Sequence, residues 1–250
     1  MEPVDLLVFG PHPNDIEIGF GGTVALHAAR GLRVGLCDLT RGELGSNGTP
    51  QERGAEAENA RAVLGASWRV NLGWADGGIV GNEAQMRSAV DLIRESRPRT
   101  IALPYWKDRH PDHRAASDVL SRAAFKAALR RFRTGPDGAA GPAWRADWVL
   151  YYFINDSGPV SFAVDVSEHY DVKRLALACH RTQFTPSGPD SMETRLSGPR
   201  FAQLIESRDA HLGALTGVAF AEGVVVREPL LRPHVMKALD PSLVAPEDPA

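Results

Sequence analysis

Two short stretches of this 250-residue chain concentrate side chains that can bind a metal ion and move protons. One reads Gly10-Pro11-His12-Pro13-Asn14-Asp15-Ile16-Glu17, the other Asp108-Arg109-His110-Pro111-Asp112-His113. His12 and Asp15 stand three residues apart, as do His110 and His113, so at a helix start each pair can turn toward a common point. Two neutral imidazoles and a carboxylate with one coordination position open form the donor set of a catalytic zinc site rather than a closed structural one. On that spacing, His12, Asp15 and His113 are the expected ligands of one Zn²⁺ per chain. The plain alternative is that His-Pro dipeptides punctuate surface loops. It is the better reading of either stretch alone and the poorer one of both at equivalent strand ends.

Both stretches need a frame that brings them to one edge. Residues 6–10 are a short apolar run, followed by a helical pattern over about 15–30 that closes at Gly31. Residues 34–40 read as a second strand. Thr49-Pro50-Gln51-Glu52 then opens a helix to about Leu64, with Thr as N-cap and Pro in the first turn. A strand over 68–72, a helix from Asn82 to before Pro98, a strand over 100–104 and a helix over about 111–129 continue the alternation. This order predicts an α/β, Rossmann-like three-layer fold with a mainly parallel sheet and an active site at the carboxyl edge of the strands. One domain is expected. Its first half, 1–130, carries the metal site, and 131–239 add strands over 148–154 and 162–166 and helices over about 168–182 and 199–216. A Gly/Pro-rich loop spans 135–142, and 240–250, broken by prolines and acids, reads as a loose tail.

Composition narrows the partners. Lys and Arg total 28 against 31 Asp and Glu, a net charge of −3, and the only basic run, Arg130-Arg131-Phe132-Arg133, reads as a solvated helix end. No nucleic-acid partner is expected on that charge. The longest apolar runs fall well short of the ~20 residues of a membrane span. The opening Met1-Glu2-Pro3-Val4-Asp5 lacks the basic start of a secretory signal, so a cytoplasmic protein is expected. Cys37 and Cys179 lie in apolar surroundings and read as buried free thiols. The glycines after the first strand do not make a dinucleotide fingerprint, because His-Pro occupies the tight turn. Gly19, Gly21 and Gly22 fall inside the helical pattern, where close packing accounts for them and leaves a nicotinamide enzyme as a minor alternative.

Further motifs accompany the two loops: Thr40-Arg41-Gly42-Glu43-Leu44-Gly45-Ser46-Asn47-Gly48-Thr49, Tyr151-Tyr152-Phe153-Ile154, His180-Arg181-Thr182-Gln183-Phe184 and Ala221-Glu222-Gly223. With them, from about residue 4 to about 232, the chain resembles the LmbE-like (PIG-L) zinc N-acetylglucosamine deacetylases. Within that family it is most similar to the bacillithiol-pathway enzymes that remove acetyl from N-acetylglucosaminyl-malate. The resemblance implies His12, Asp15 and His113 as metal ligands, in agreement with their spacing, and His110 as the imidazole that stabilises the oxyanion and protonates the leaving amine. It implies Arg53 and Arg109 near the substrate, where a guanidinium fork suits a malate carboxylate. The other reading of Arg53 is an exposed helical arginine pairing Glu52 or Glu56. Arg41, Glu43, Ser46 and Asn47 either line a sugar site or merely build a turn. Asp112 either orients an imidazole or complements the helix dipole. Family relatives form homo-oligomers, commonly hexamers.

The chain departs from the family at one position. The pattern is His-Pro-Asp-Asp, and its first Asp is the general base; here that position is Asn14. An amide keeps nearly the shape of a carboxylate and can hydrogen-bond water, but it cannot take a proton at neutral pH. Losing a positioned base typically removes ~10²–10⁴ in rate, while metal and substrate binding are expected to survive. An engineered change, a natural variant with another base and a binding-only paralogue are all compatible with Asn14. A hydrolase of a different amide or ester is the further alternative.

Overall fold

A computed structural model of the chain describes residues 1–134 and 141–230. The Gly/Pro-rich stretch, over 135–140, and the expected tail at 240–250 lie outside the described residues. The elements run β1 (Leu6–Gly10), α1 (Asp15–Ala29), β2 (Val34–Thr40), α2 (Pro50–Leu64), β3 (Trp68–Trp74), α3 (Glu83–Ser96), β4 (Thr100–Pro104) and α4 (Pro111–Ala127). They continue with β5 (Trp148–Tyr152), β6 (Phe162–Asp165), a 3₁₀ turn at Ser167–His169, α5 (Tyr170–Cys179), α6 (Arg181–Phe184), α7 (Pro199–Thr216) and β7 (Ala221–Val225). The sheet order is β3-β2-β1-β4-β5-β7-β6. The first five of these pair in parallel, and β7 runs antiparallel to both its neighbours.

Every residue of β1 and β2 is buried, as continuous apolar runs covered on both faces require. Alternation along them feeds two cores. Leu7, Phe9, Cys37 and Leu39 pack with Val90 and Ile93 of α3 and Leu120 of α4. Leu6, Val8, Val34 and Leu36 pack with Phe20 of α1, Leu64 of α2, Ala176 of α5 and Ile205 of α7. The α/β three-layer architecture follows directly.

The helix that carries the first loop is apolar all round and buried from Asp15 to Leu26, the pattern of a helix inside a core rather than on it. Its glycines allow that depth. A Cβ on Gly19 would stand 2.4 Å from the carbonyl oxygen of Phe153, and one on Gly22 2.8 Å from Cβ of Val166. The Thr49 cap holds α2 as expected: its hydroxyl accepts from Glu52 N–H, the Glu52 carboxylate accepts from Thr49 N–H, and Gly65 closes the helix at φ 73°.

Two expectations need correction. The helix over 168–182 breaks at His180, whose backbone leaves helical angles at ψ 58° while its side chain turns fully into the core. Cys37 is buried but Cys179 only half-buried, since it lies at the end of the short helix α5. Glu222 lies on an interior strand. Its carboxylate accepts from Gly22 N–H at 2.9 Å, Thr23 N–H at 2.7 Å and Lys173 Nζ at 2.6 Å. Lys173, itself fully buried, also reaches Asp209 at 2.6 Å.

Candidate metal centre and active site

The loops that follow β1, β2, β3 and β4 all open on one edge of the sheet, where a cleft of about 560 Å³ lies. Asp15 begins α1, His110 caps α4 and His113 occupies the first turn of α4. Helix geometry thus aims these side chains inward from two separate turns.

The Asp15 carboxylate joins them. Its Oδ2 accepts from His12 N–H at 2.8 Å and lies 3.0 Å from His12 Nδ1 and 3.3 Å from His113 Nε2. The His110 ring stands 4.9 Å from that of His12 and 4.7 Å from that of His113. Donor atoms of His12, His110 and His113 lie within 4.8 Å of one another, as do those of His12, Asp76 and Asp112. Asp112 Oδ2 accepts from Gly77 N–H at 2.8 Å and sits 3.3 Å from His12 Nε2. Asp112 thus contacts the His12 imidazole and is also the first-turn acid of α4.

Two carboxylates that carried no assigned role complete the cluster. Asp76, just after β3, places Oδ1 3.1 Å from His12 Nε2 and accepts from Leu44 N–H at 3.0 Å through Oδ2. Asp108 faces His113 Nδ1 at 3.2 Å and accepts from the backbone of His110 and Asn155. The rule that pointed to the ends of β1 and β4 also covers the end of β3, so Asp76 was within reach of the sequence.

Four carboxylates thus surround three imidazoles in a mostly buried space. Burial opposes charge on His12, but Asp112, Asp15 and Asp76 outweigh it and hold its pKa well above the ordinary value. His113, likewise buried, is pushed up to about 9 by Asp15 and Asp108. The imidazoles hold Asp76 and Asp108 down to about 2 against the cost of burial. His110 is lowered, by burial first and then by the charges of His113 and His12. An acid-rich cluster balanced by protonated imidazoles fits a divalent cation, which would take over that balance and leave the imidazoles neutral.

Asn14 caps α1 at φ 122°, a region that costs an L residue of order 1–3 kcal/mol and persists where surrounding structure enforces it. It is 3% exposed, lines the cleft and makes no capping hydrogen bond with its side chain.

Of the expected substrate residues, Arg53, Arg109 and Ser46 line the cleft. Arg53 is 4% exposed, so it is not the surface arginine of the alternative reading. Its guanidinium donates to the carbonyls of Gly42 at 2.5 Å and Pro13 at 3.2 Å, tying two site loops together. Arg41, Glu43 and Asn47 lie outside the lining. Glu43 instead accepts from the N–H groups of Arg41 and Asp76. Asn47 pairs with the backbone of Met192 through two 2.8 Å bonds. Behind the site, Arg69 forks onto Asp38 at 2.7 and 2.8 Å and reaches Glu17, fastening the first turn of α1 to β2 and β3. His180 is fully buried, with Nε2 3.3 Å from the Glu17 carboxylate.

The ends of the parallel strands thus gather histidines and carboxylates into one cleft that could hold a metal ion. The chain belongs to the PIG-L (LmbE-like) family of deacetylases: the family model described as GlcNAc-PI de-N-acetylase matches residues 7–124. The 1D-myo-inositol 2-acetamido-2-deoxy-alpha-D-glucopyranoside deacetylase of a Nocardioides species is 28% identical, over 74% of this chain and 84% of that protein. The diacetylchitobiose deacetylase of Thermococcus kodakarensis is 25% identical, over 88% and 81%. Among solved structures, a conserved protein of Thermus thermophilus superposes with a TM-score of 0.83 at 36% identity, covering 94% of this chain and all of that one.

Proposed function

We propose that this chain is a zinc-dependent deacetylase of an N-acetylglucosamine conjugate, with N-acetylglucosaminyl-malate of bacillithiol biosynthesis as substrate, working as a homo-oligomer in the cytoplasm and slowed by Asn14. The observation that carries the reading is the convergence of His12 and His113 on one oxygen of Asp15, beside Asn14 at the position of the family's base. Relatives that deacetylate glucosamine conjugates support the sugar, and Arg53 and Arg109 in the cleft lining suit an acidic aglycone.

His12, Asp15 and His113 would hold the ion. A bound Zn²⁺ supplies Lewis acidity and a water of lowered pKa. The chain supplies the rest. Asp112 and Asp76 orient the His12 ring, and Asp108 orients that of His113. His110 Nδ1 accepts from Asp112 N–H at 3.2 Å, so the neutral ring carries its proton on Nε2. A neutral imidazole donor is the group needed where charge develops on the acetamide oxygen, and the same ring, once it has taken up the proton the attacking water gives up, can pass that proton to the departing amine and return to neutral. Asn14 can hold the attacking water by a hydrogen bond but cannot remove its proton.

Mass spectrometry of N-acetylglucosaminyl-malate incubated with the zinc-loaded protein and with its Asn14→Asp variant, with zinc measured on both, tests the proposal. Release of acetate by the variant supports it; an inert variant carrying full zinc refutes it. Asn14 itself favours one second reading, a metal- and sugar-binding protein that has lost turnover. Under that reading the Asp variant would stay inactive.

A further inference from the structure

The rim of the cleft carries a side chain that the sequence did not single out. Arg195, in the segment between α6 and α7, lines the same cleft as Arg109, and both are exposed. Among the described residues neither guanidinium has a carboxylate within 4.0 Å, whereas those of Arg61, Arg87 and Arg174 do. Arg195 is nevertheless held in place. Its Nη1 donates to Asn155 Oδ1 at 2.9 Å, and its guanidinium lies 5.0 Å from the centre of the Phe201 ring. Asn155 in turn donates through Nδ2 to Asp108 at 3.1 Å and lies 3.3 Å from His113 Nδ1.

The rim cation and the histidine at the metal site are therefore fixed to one asparagine. Burial, and next the charge of Arg109, both weaken the hold of Arg195 on its proton. Two arginines that repel each other across an open mouth, one of them pre-oriented, make a receptor for an anion. An anion there would relieve the repulsion and accept a fork of N–H donors without reordering Arg195.

We infer that Arg195, held by Asn155, is a specificity-determining residue that receives an anionic group on the aglycone of the substrate. The inference rests on the N-acetylglucosamine reading and adds the residue that sorts charged from neutral conjugates. The reaction slowed by Asn14 allows it to be read as binding. Calorimetric titration of the zinc-loaded protein with N-acetylglucosaminyl-malate and with neutral methyl N-acetylglucosaminide, repeated for Arg195→Ala and Arg195→Lys, is the test.

Arg195→Ala is expected to weaken the malate conjugate by about tenfold or more, as for loss of a charge-assisted pair. The neutral sugar should change by less than about twofold, zinc content should stay the same, and Arg195→Lys should recover part of the loss. Equal affinities of the unsubstituted protein for the two sugars, or an equal loss on both in Arg195→Ala, overturn the inference and leave the sugar reading standing. Failure of the unsubstituted protein to bind either sugar overturns both.

Discussion

At position 14 a single atom exchange, nitrogen for oxygen, separates a group that can accept a proton from one that cannot. The structure gives the exchange a specific setting, because Asn14 is buried in the cleft with its backbone held at φ 122°. An aspartate there would keep that backbone and gain proton affinity. Asn14→Asp is expected to raise deacetylase turnover by about a hundredfold or more with zinc content unchanged, as steady-state kinetics with metal analysis will show. The charge state of the cluster gives a second expectation. Burial disfavours the charged imidazoles, but the facing carboxylates raise His12 well above its ordinary pKa and His113 to about 9. His113 is therefore protonated at pH 7 in the metal-free chain and must lose that proton to bind an ion. Zinc binding at pH 7 should release at least one proton, measured by calorimetry in buffers of different ionisation enthalpy. The sign for stability follows. The contribution of His113 to the metal-free fold is fully present below its unfolded pKa of ~6.5 and is lost as pH rises through about 9. Thermal unfolding of the metal-free protein should accordingly show less stability at alkaline pH than at pH 6.

At the scale of elements, the site depends on how deeply α1 enters the core. Gly19 and Gly22 allow the approach, and the carboxylate of Glu222 reaches N–H groups in the middle of that helix while Lys173 balances its charge. Removing one partner of such a buried group leaves an uncompensated charge, at a cost of about 3–5 kcal/mol. Lys173→Met should lose that much stability in urea denaturation, and a change under about 1 kcal/mol would show that the network does not brace α1. The sequence carried part of this. Close packing explained the helical glycines, and Thr49 with Glu52 marked the start of α2 without ambiguity. The partner of Glu222 could not be read, because Lys173 is 49 positions away in the chain and a buried lysine leaves no periodic signal. The break at His180 was equally hidden, since it follows from a side chain turning inward toward Glu17 and not from a Gly or Pro.

Over the whole molecule, sequence order alone implied the parallel sheet, and with it the edge on which both histidine loops meet. Strand alternation carries that information because right-handed crossovers leave few other arrangements. It says nothing about which loop residues face the cleft. Ser46 and Asn47 are neighbours of similar type, yet Ser46 lines the cleft while Asn47 bonds to the backbone of Met192 across the segment between α6 and α7. Asp76, Asn155 and Arg195 come from three further connections, and only tertiary placement gathers them. Among the described residues no helix is long and apolar enough to cross a membrane. One cation gripped by His12, Asp15 and His113 is the centre on which the proposed chemistry turns, and elemental analysis of purified His113→Ala beside the unsubstituted protein tests it most directly. About one zinc per chain in the unsubstituted protein and a small fraction of that in the folded variant is the predicted result. Full zinc retained in His113→Ala would contradict it.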